Sequence, residues 1–250
     1  MRSPKIAMQP DEPSNPKLQP EVPGLIETQY DTIGAAYLER REKRGHFVDT
    51  HPVVQYIRQY LGEPKGKSLI DVGCGGGDEL VKYKGYGFAE VRGIDPSEVM
   101  VKAARERVQD DAAVLQGKWA DLSTLFKGEK KDVVVGRSSL HYEPDLDAAY
   151  QVIAEILKPG GLLILIVPDP RKASIKTEHR RIVEKDGRKY VQDRILGSGV
   201  PITYPLHTMD DYVESETFKK FFELVNRKDF LKERDGVEEP DQLGIVARRR

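Results

Sequence analysis

From residue 25 onward the chain alternates short apolar runs with amphipathic stretches. Apolar runs bounded by turn residues predict strands over 67–73, 91–95, 113–117, 131–136, 161–167 and 244–249. Apolar positions at helical spacing predict helices between them over 78–86, 96–108 and 145–157, the last stopped by Lys158-Pro159-Gly160-Gly161. Two further helices are expected ahead of the first strand, over about 26–41 and 52–61. Strands alternating with helices build a mostly parallel sheet with crossover helices, so the expected fold class is α/β, a Rossmann-like, doubly wound domain with extra N-terminal helices.

Before residue 25 the pattern is lost. Residues 1–24 hold six of the sixteen prolines (Pro4, Pro10, Pro13, Pro16, Pro20, Pro23) and few large apolar residues. Proline lacks the N–H that helices and ladders need, so this stretch reads as a disordered tail and 25–250 as one domain. The tail also accounts for part of a low apolar fraction: with Gly counted and Tyr left out it is about 42%, against roughly 45–50% in globular domains.

Charge and cysteine content exclude several classes. Forty Lys and Arg against 41 Asp and Glu leave a net charge of −1, which gives no whole-surface attraction for a nucleic-acid backbone. The single Cys cannot form an intramolecular disulfide or a Cys-rich zinc site. The longest apolar run, 161–167, is far shorter than a membrane span, and the N-terminus has no apolar signal region, so a soluble, cytoplasmic protein with no membrane partner is expected. His46, His51 and His179 have no companions at ligand spacing, and no metal is expected.

The sharpest feature is Leu69-Ile70-Asp71-Val72-Gly73-Cys74-Gly75-Gly76-Gly77-Asp78-Glu79, a buried strand entering a glycine loop and then a helix. Glycines there let the backbone turn tightly and approach a ligand. The spacing is not the dinucleotide fingerprint, because the sixth position counted from Gly73 is Asp78, and there is no Gly-Lys-Ser/Thr for a triphosphate loop. Asp71, Asp78 and Glu79 flank the loop and oppose an anion at the helix N-terminus, so a ligand with an ammonium or sulfonium group fits better than a pyrophosphate. Asp95 follows at the end of the second strand, where a carboxylate can accept ribose hydroxyls; it can equally cap the helix that Pro96 begins.

Six motifs in order carry a family resemblance: Tyr30-Asp31-x-x-x-Ala35-x-Tyr37, Asp71-Val72-Gly73-Cys74-Gly75-x-Gly77, Gly93-Ile94-Asp95-Pro96-Ser97, Asp132-Val133-Val134-Val135, Leu140-His141-Tyr142-x-x-Asp145 and Leu157-Lys158-Pro159-Gly160-Gly161. Together they resemble the class I S-adenosylmethionine-dependent methyltransferases, in particular the small-molecule group that includes the quinone-biosynthesis enzymes. The resemblance implies a seven-stranded sheet, with cap elements over about 25–62 and 170–208. It also implies S-adenosylmethionine as cofactor, with Gly73, Cys74, Gly75 and Gly77 under its methionine part. Asp71 would meet the amino group, and Asp95 with Pro96 the ribose. Gly136 and Arg137 after the fourth strand, and Tyr30 on the N-terminal helix, complete the expected contacts. Adenine binding carries over to Trp119, Ala120 and Asp121, although Lys118 stands where the family has an acid.

A sulfonium methyl is already activated, so transfer is an in-line displacement that needs alignment above all. His141, with Tyr142 and Tyr30 beside it as candidate catalytic groups, stands where an imidazole near its pKa could take a proton from the acceptor; the alternative is that it only shapes the pocket. Substrate contacts are expected from Tyr37, His141, Arg180, Arg181, Tyr204 and His207. Residues 171–194 carry nine Lys or Arg and four acids, which reads either as a basic lid for an acceptor with a carboxylate or phosphate, or as a solvated two-stranded excursion over 188–195 and 200–204. Residues Gly136-Arg137-Ser138-Ser139 replace the Asn/Asp-Pro-Pro-Tyr of enzymes that methylate amide or adenine nitrogens. The expected reaction is therefore methyl transfer to O, N or C of a small molecule. Alternatives are RNA modification docked through Arg248-Arg249-Arg250 and the basic insertion, a non-catalytic cofactor-binding module, and aminopropyl transfer. A monomer and a homodimer are both compatible with the sequence.

Overall fold

The computed structural model describes residues 26–43, 51–174, 180–194, 201–234 and 237–250. The expected tail, His46, His179 and the Gly197-Ser198-Gly199 turn lie outside them, as does the side chain of His51. The first half holds α1 (Ile26–Lys43), α2 (His51–Tyr60), β1 (Ser68–Val72), α3 (Asp78–Gly85), β2 (Glu90–Asp95), α4 (Glu98–Val108), β3 (Val114–Gln116), α5 (Leu122–Leu125) and β4 (Lys131–Arg137). The second half holds α6 (Leu146–Ile156), β5 (Leu157–Pro168), β6 (Arg181–Lys185), β7 (Arg188–Arg194), β8 (Pro201–Pro205), α7 (Met209–Val213), α8 (Glu216–Phe221), β9 (Phe222–Arg234) and β10 (Val237–Arg249).

Seven strands form one sheet in the order β3-β2-β1-β4-β5-β10-β9. The first five are parallel, and β10 runs antiparallel to both of its neighbours. Val133, Val134 and Val135 in β4 and Leu162 to Val167 in β5 are all buried. These strands read as continuous apolar runs because helices cover both faces of the sheet. On one face Tyr150, Phe218 and Phe222 pack with α6 and α8; on the other Ile57, Leu80 and Val101 bring in α2, α3 and α4. The Tyr150 hydroxyl donates to the Tyr212 carbonyl (2.8 Å), tying α6 to α7.

Three expectations need correction. Strand β9 was not foreseen: Phe222–Arg234 is rich in Lys, Arg, Glu and Asp because among the described residues it is an edge strand that pairs with β10 alone and keeps much of its side-chain surface in water. Strand β10 begins at Val237, several residues before the expected start, because it extends outward with β9. The insertion after β5 is a three-stranded antiparallel sheet β6-β7-β8 rather than a two-stranded excursion, the additional strand pairing Arg181 with Gln192 through Lys185 with Arg188.

The C-terminal arginines close the fold. Arg248 donates to the carbonyls of Gly160 (2.9 Å) and Tyr60 (2.8 Å), and Arg249 to those of Ala154 and Phe221 (3.2 Å each). Arg250 Nε donates to the Phe222 carbonyl at 2.9 Å. The arginine part of the docking surface expected for RNA is thus engaged with backbone carbonyls at helix and strand ends.

Candidate functional site

The C-terminal ends of β1, β2 and β4 meet at the crevice where open α/β sheets bind ligands. Gly73 and Cys74 leave β1 by donating their N–H groups to the Ile94 carbonyl (2.8 and 3.0 Å), which fastens the loop to the end of β2. Gly73 is left-handed (φ +78°), and a Cβ there would lie 2.3 Å from that of Ser139, whose hydroxyl donates to the Val72 carbonyl (2.5 Å). Gly75 is also left-handed (φ +54°), yet a Cβ built on it meets nothing within 4 Å. Space is therefore open before Gly75, whereas at Gly73 it is filled by protein. Gly77 precedes the first residue of α3.

Asp95 organises the other wall. It is buried, and its Oδ2 accepts from Gly75 N–H (2.9 Å) while Oδ1 accepts from Ser97 N–H (3.0 Å). Burial outweighs these bonds and lifts its pKa to about 6. The capping expectation needs correction, since the next helix begins at Glu98 with Ser97 as its cap; Asp95 instead ties the Ser97 N–H to the glycine loop. The Ser97 side chain caps α4 by accepting from Met100 N–H, and its hydroxyl donates to Asp31 on α1 (2.7 Å).

Asp71 is buried with its Oδ1 unpartnered, and burial followed by the Glu79 charge raises its pKa well above the ordinary carboxylate range. Glu79 pairs with Arg137 (2.7 Å). Asp78 turns away from the crevice to Arg107 (2.9 Å), so the loop's acids do not act together as expected. Trp119 is buried with its Nε1 unpartnered and packs on Gly136, where a Cβ would lie 2.5 Å from the ring. Asp121 Oδ2 accepts from Lys118 N–H (3.0 Å), closing the turn after β3, and Ala120 is exposed beside it.

A second wall is aromatic. Tyr30 and Tyr142 share a hydrogen bond between hydroxyls (2.9 Å), and Tyr30 sits edge-on to Tyr37. His141 lies against Tyr142 (ring centroids 4.1 Å apart) and edge-on to Tyr204 (4.9 Å). His207 Nε2 bonds the Glu143 carbonyl (2.9 Å). The imidazole of His141 is buried with Nδ1 unpartnered, and burial, helped by His207, lowers its pKa to about 3. An imidazole near its pKa, as anticipated from sequence, is therefore not what the fold provides: His141 is neutral at physiological pH.

Two expected substrate residues have structural partners. Arg180 donates to Asp193 Oδ2 from Nε (2.7 Å) and Nη2 (2.5 Å) with its side chain 8% exposed, and Arg181 Nε donates to Gln192 (2.7 Å). Sequence reasoning missed Glu79 as a partner for Arg137, since nothing in the spacing links positions so far apart. Among the described residues no group of three or more His, Cys, Asp or Glu converges to hold a metal ion, and no helix is long and apolar enough to cross a membrane.

Comparison with known proteins adds context. Residues 70–165 match the methyltransferase domain family. The chain is 33% identical over 129 residues to 27-O-demethylrifamycin SV methyltransferase of Amycolatopsis mediterranei, covering 48% of this chain and 47% of that protein. It is 31% identical over 114 residues to ubiquinone biosynthesis O-methyltransferase of Coxiella burnetii, covering 44% and 47%. The chain thus spans about half the length of the curated relatives it matches. Among solved structures, the CcbJ methyltransferase of Streptomyces caelestis superposes with TM-score 0.64 at 19% identity, covering 89% of this chain and 98% of that one. An S-adenosylmethionine-dependent methyltransferase of Mesorhizobium loti gives 0.58 at 21%, covering 78% and 96%. The fold is shared with both.

Proposed function

We propose that this chain, whose residues 70–165 match the methyltransferase domain family, is a class I S-adenosylmethionine-dependent enzyme that methylates an O, N or C atom of a small molecule, giving S-adenosylhomocysteine. The observation that carries this reading is the open space before Gly75, whose N–H is held by the buried Asp95, together with the orphaned oxygen of the buried Asp71 on the strand that leads into the same loop. A left-handed glycine facing a void suits close approach of a ligand, and an orphaned carboxylate oxygen suits a cationic group. Both features fit S-adenosylmethionine.

S-adenosylmethionine supplies a methyl group already activated on a sulfonium sulfur. Asp95 would accept the ribose hydroxyls, Asp71 the amino group, and the main chain from Gly73 to Gly77, Cys74 included, would line the methionine part. Pro96, Gly136 and Arg137 border the same crevice; Tyr30 closes it from α1, and Trp119, Ala120 and Asp121 would flank the adenine. On the acceptor side Tyr37, Tyr142, Tyr204, His141 and His207 orient the nucleophile and exclude water. With Arg180 and Arg181 already holding Asp193 and Gln192, this aromatic wall favours an apolar or planar acceptor over an anionic one. A neutral His141 can accept a hydrogen bond from an acceptor hydroxyl or amine as the methyl arrives.

The test is mass spectrometry of a cell extract incubated with the protein and methyl-labelled S-adenosylmethionine, alongside equilibrium binding. A labelled small molecule is expected. Tight cofactor binding with no labelled product would make the chain a binding module, and label appearing only in RNA would overturn the small-molecule reading.

A further inference from the structure

The two edges of the main sheet are unlike. Strand β3 is three residues long, whereas β9 runs for thirteen, from Phe222 to Arg234, with no proline to interrupt it. A long unpaired edge strand is a template for a further strand, and proteins ordinarily blunt it. Among the described residues no strand pairs with the outer side of β9, and Leu224 and Leu231 on it are 40% and 51% exposed. The ladder with β10 skips Val225, where the register shifts from Asn226 opposite Val246 to Leu224 opposite Ala247. That bulge returns Leu224 to the face shared by Arg227, Asp229 and Leu231, the face on which Ile245 and Ala247 of β10 join the cluster with Tyr150 and Phe218. Glu223, Asn226, Lys228, Phe230 and Lys232 stand on the opposite face, with Val246.

We propose that β9 is a dimerisation edge, on which a second copy of this chain pairs antiparallel about a two-fold axis at Lys228 and joins the two sheets into one. In that register Arg227 of each copy meets Asp229 of the other, and Asn226 meets Phe230. Past the Val225 bulge Leu224 meets Leu231, and Glu223 meets Lys232. Every pair then lies on a common face, which a slip of one residue would undo. A two-fold contact must be complementary to itself, and along β9 opposite charges and apolar residues fall at the positions that the axis exchanges. The like-charged pair is Lys228 with its own copy, and its Nζ is drawn along the strand, 5.5 Å from the centre of the Phe230 ring. Asp229 Oδ2 is held by Arg171 (2.6 Å), which fixes that carboxylate at the edge before a partner arrives. The pairing needs no feature of the crevice after β1, so it stands or falls separately from methyl transfer.

The experiment is sedimentation of the full chain over a range of concentrations, with charge-swapped variants. Glu223 and Lys232 are exposed, so Glu223→Lys and Lys232→Glu should fold as the wild type does. The wild type is expected to be a dimer. By symmetry each single variant replaces two opposite-charge pairs with two like-charge pairs and should weaken the dimer by about tenfold, whereas Glu223→Lys/Lys232→Glu should restore it to within about twofold of wild type. Lys228→Cys, on the axis, should give a disulfide-linked dimer on mild oxidation, and Asn226→Cys, whose counterpart is Phe230, should not. A chain that stays monomeric overturns the proposal, whether its edge is covered by its own N-terminal residues or by nothing. A dimer indifferent to the single variants, a double variant that fails to recover, or cross-linking at Asn226→Cys in preference to Lys228→Cys overturns it equally.

Discussion

The Gly75 N–H donates to the Asp95 carboxylate across 2.9 Å, joining the glycine loop after β1 to the acid that ends β2. Asp95 accepts a second N–H from Ser97, so both of its oxygens are engaged. An Asp95→Asn amide offers one oxygen where two are needed and turns an NH2 group toward one of the donors. The variant is expected to lose about 1–3 kcal/mol of stability and at least tenfold in cofactor affinity, measured by urea unfolding and calorimetry. Unchanged affinity would remove Asp95 from the site.

The same carboxyl sets opposite pH dependences for binding and for folding. With its pKa raised to about 6, Asp95 is neutral below that pH, and a ligand that needs the carboxylate should bind about tenfold more weakly per pH unit below 6. For stability the sign reverses. A carboxyl whose folded pKa exceeds its unfolded one contributes stability that is full below about pH 4 and is lost as pH rises through about 6. Calorimetry between pH 5 and 7.5, with thermal melts of the ligand-free chain, checks both; a cofactor affinity that is flat across this range would sink the first.

Because burial holds His141 neutral, with a pKa near 3, the pH profile of kcat/KM should show no limb near 6–7 arising from this residue. A limb there that disappears in His141→Gln would show that acceptor binding re-exposes the imidazole and restores its ordinary titration.

Gly73 and Gly75 are both left-handed, but substitution should separate them. At Gly73 an added methyl collides with Ser139 in addition to the backbone strain, so Gly73→Ala should cost about 3 kcal/mol, partly recovered by Ser139→Gly. At Gly75 only strain applies, so Gly75→Ala should cost about 1–2 kcal/mol yet abolish cofactor binding, because its methyl enters the ligand's space. Retained binding by Gly75→Ala would place the cofactor elsewhere.

Arg248→Ala and Arg249→Ala should each lower the melting temperature, since each removes two hydrogen bonds to backbone carbonyls, and neither should alter RNA retention at low salt. Loss of a steeply salt-dependent RNA affinity without loss of stability would restore a docking role.

The parts of this molecule that could be read from sequence are those where chemistry and chain position coincide. Gly73, Gly75 and Asp95 end strands and occupy turns, and only a few residue types serve there. The parallel core was legible because strands covered on both faces must be apolar throughout. Pairings were not legible. Glu79 and Arg137 lie on different elements, and a charge in a sequence does not disclose its partner. Strand β9 was missed for a related reason: a single ladder at the sheet edge leaves its side chains in water, where charged residues obscure the alternation that marks a strand. His141 was visible as a residue, but its neutral state follows from neighbours, Tyr142, Tyr204 and His207, that the fold brings together.

Tyr30 and Asp31 are consecutive on α1, yet one bonds Tyr142 on the aromatic wall and the other bonds Ser97 beside Asp95. Leu38, further along the same helix, would be 2.5 Å from a Cβ on Gly76. One helix of 18 residues therefore ties the aromatic wall to the end of β2, so a change in its position would be felt on both sides of the crevice at once.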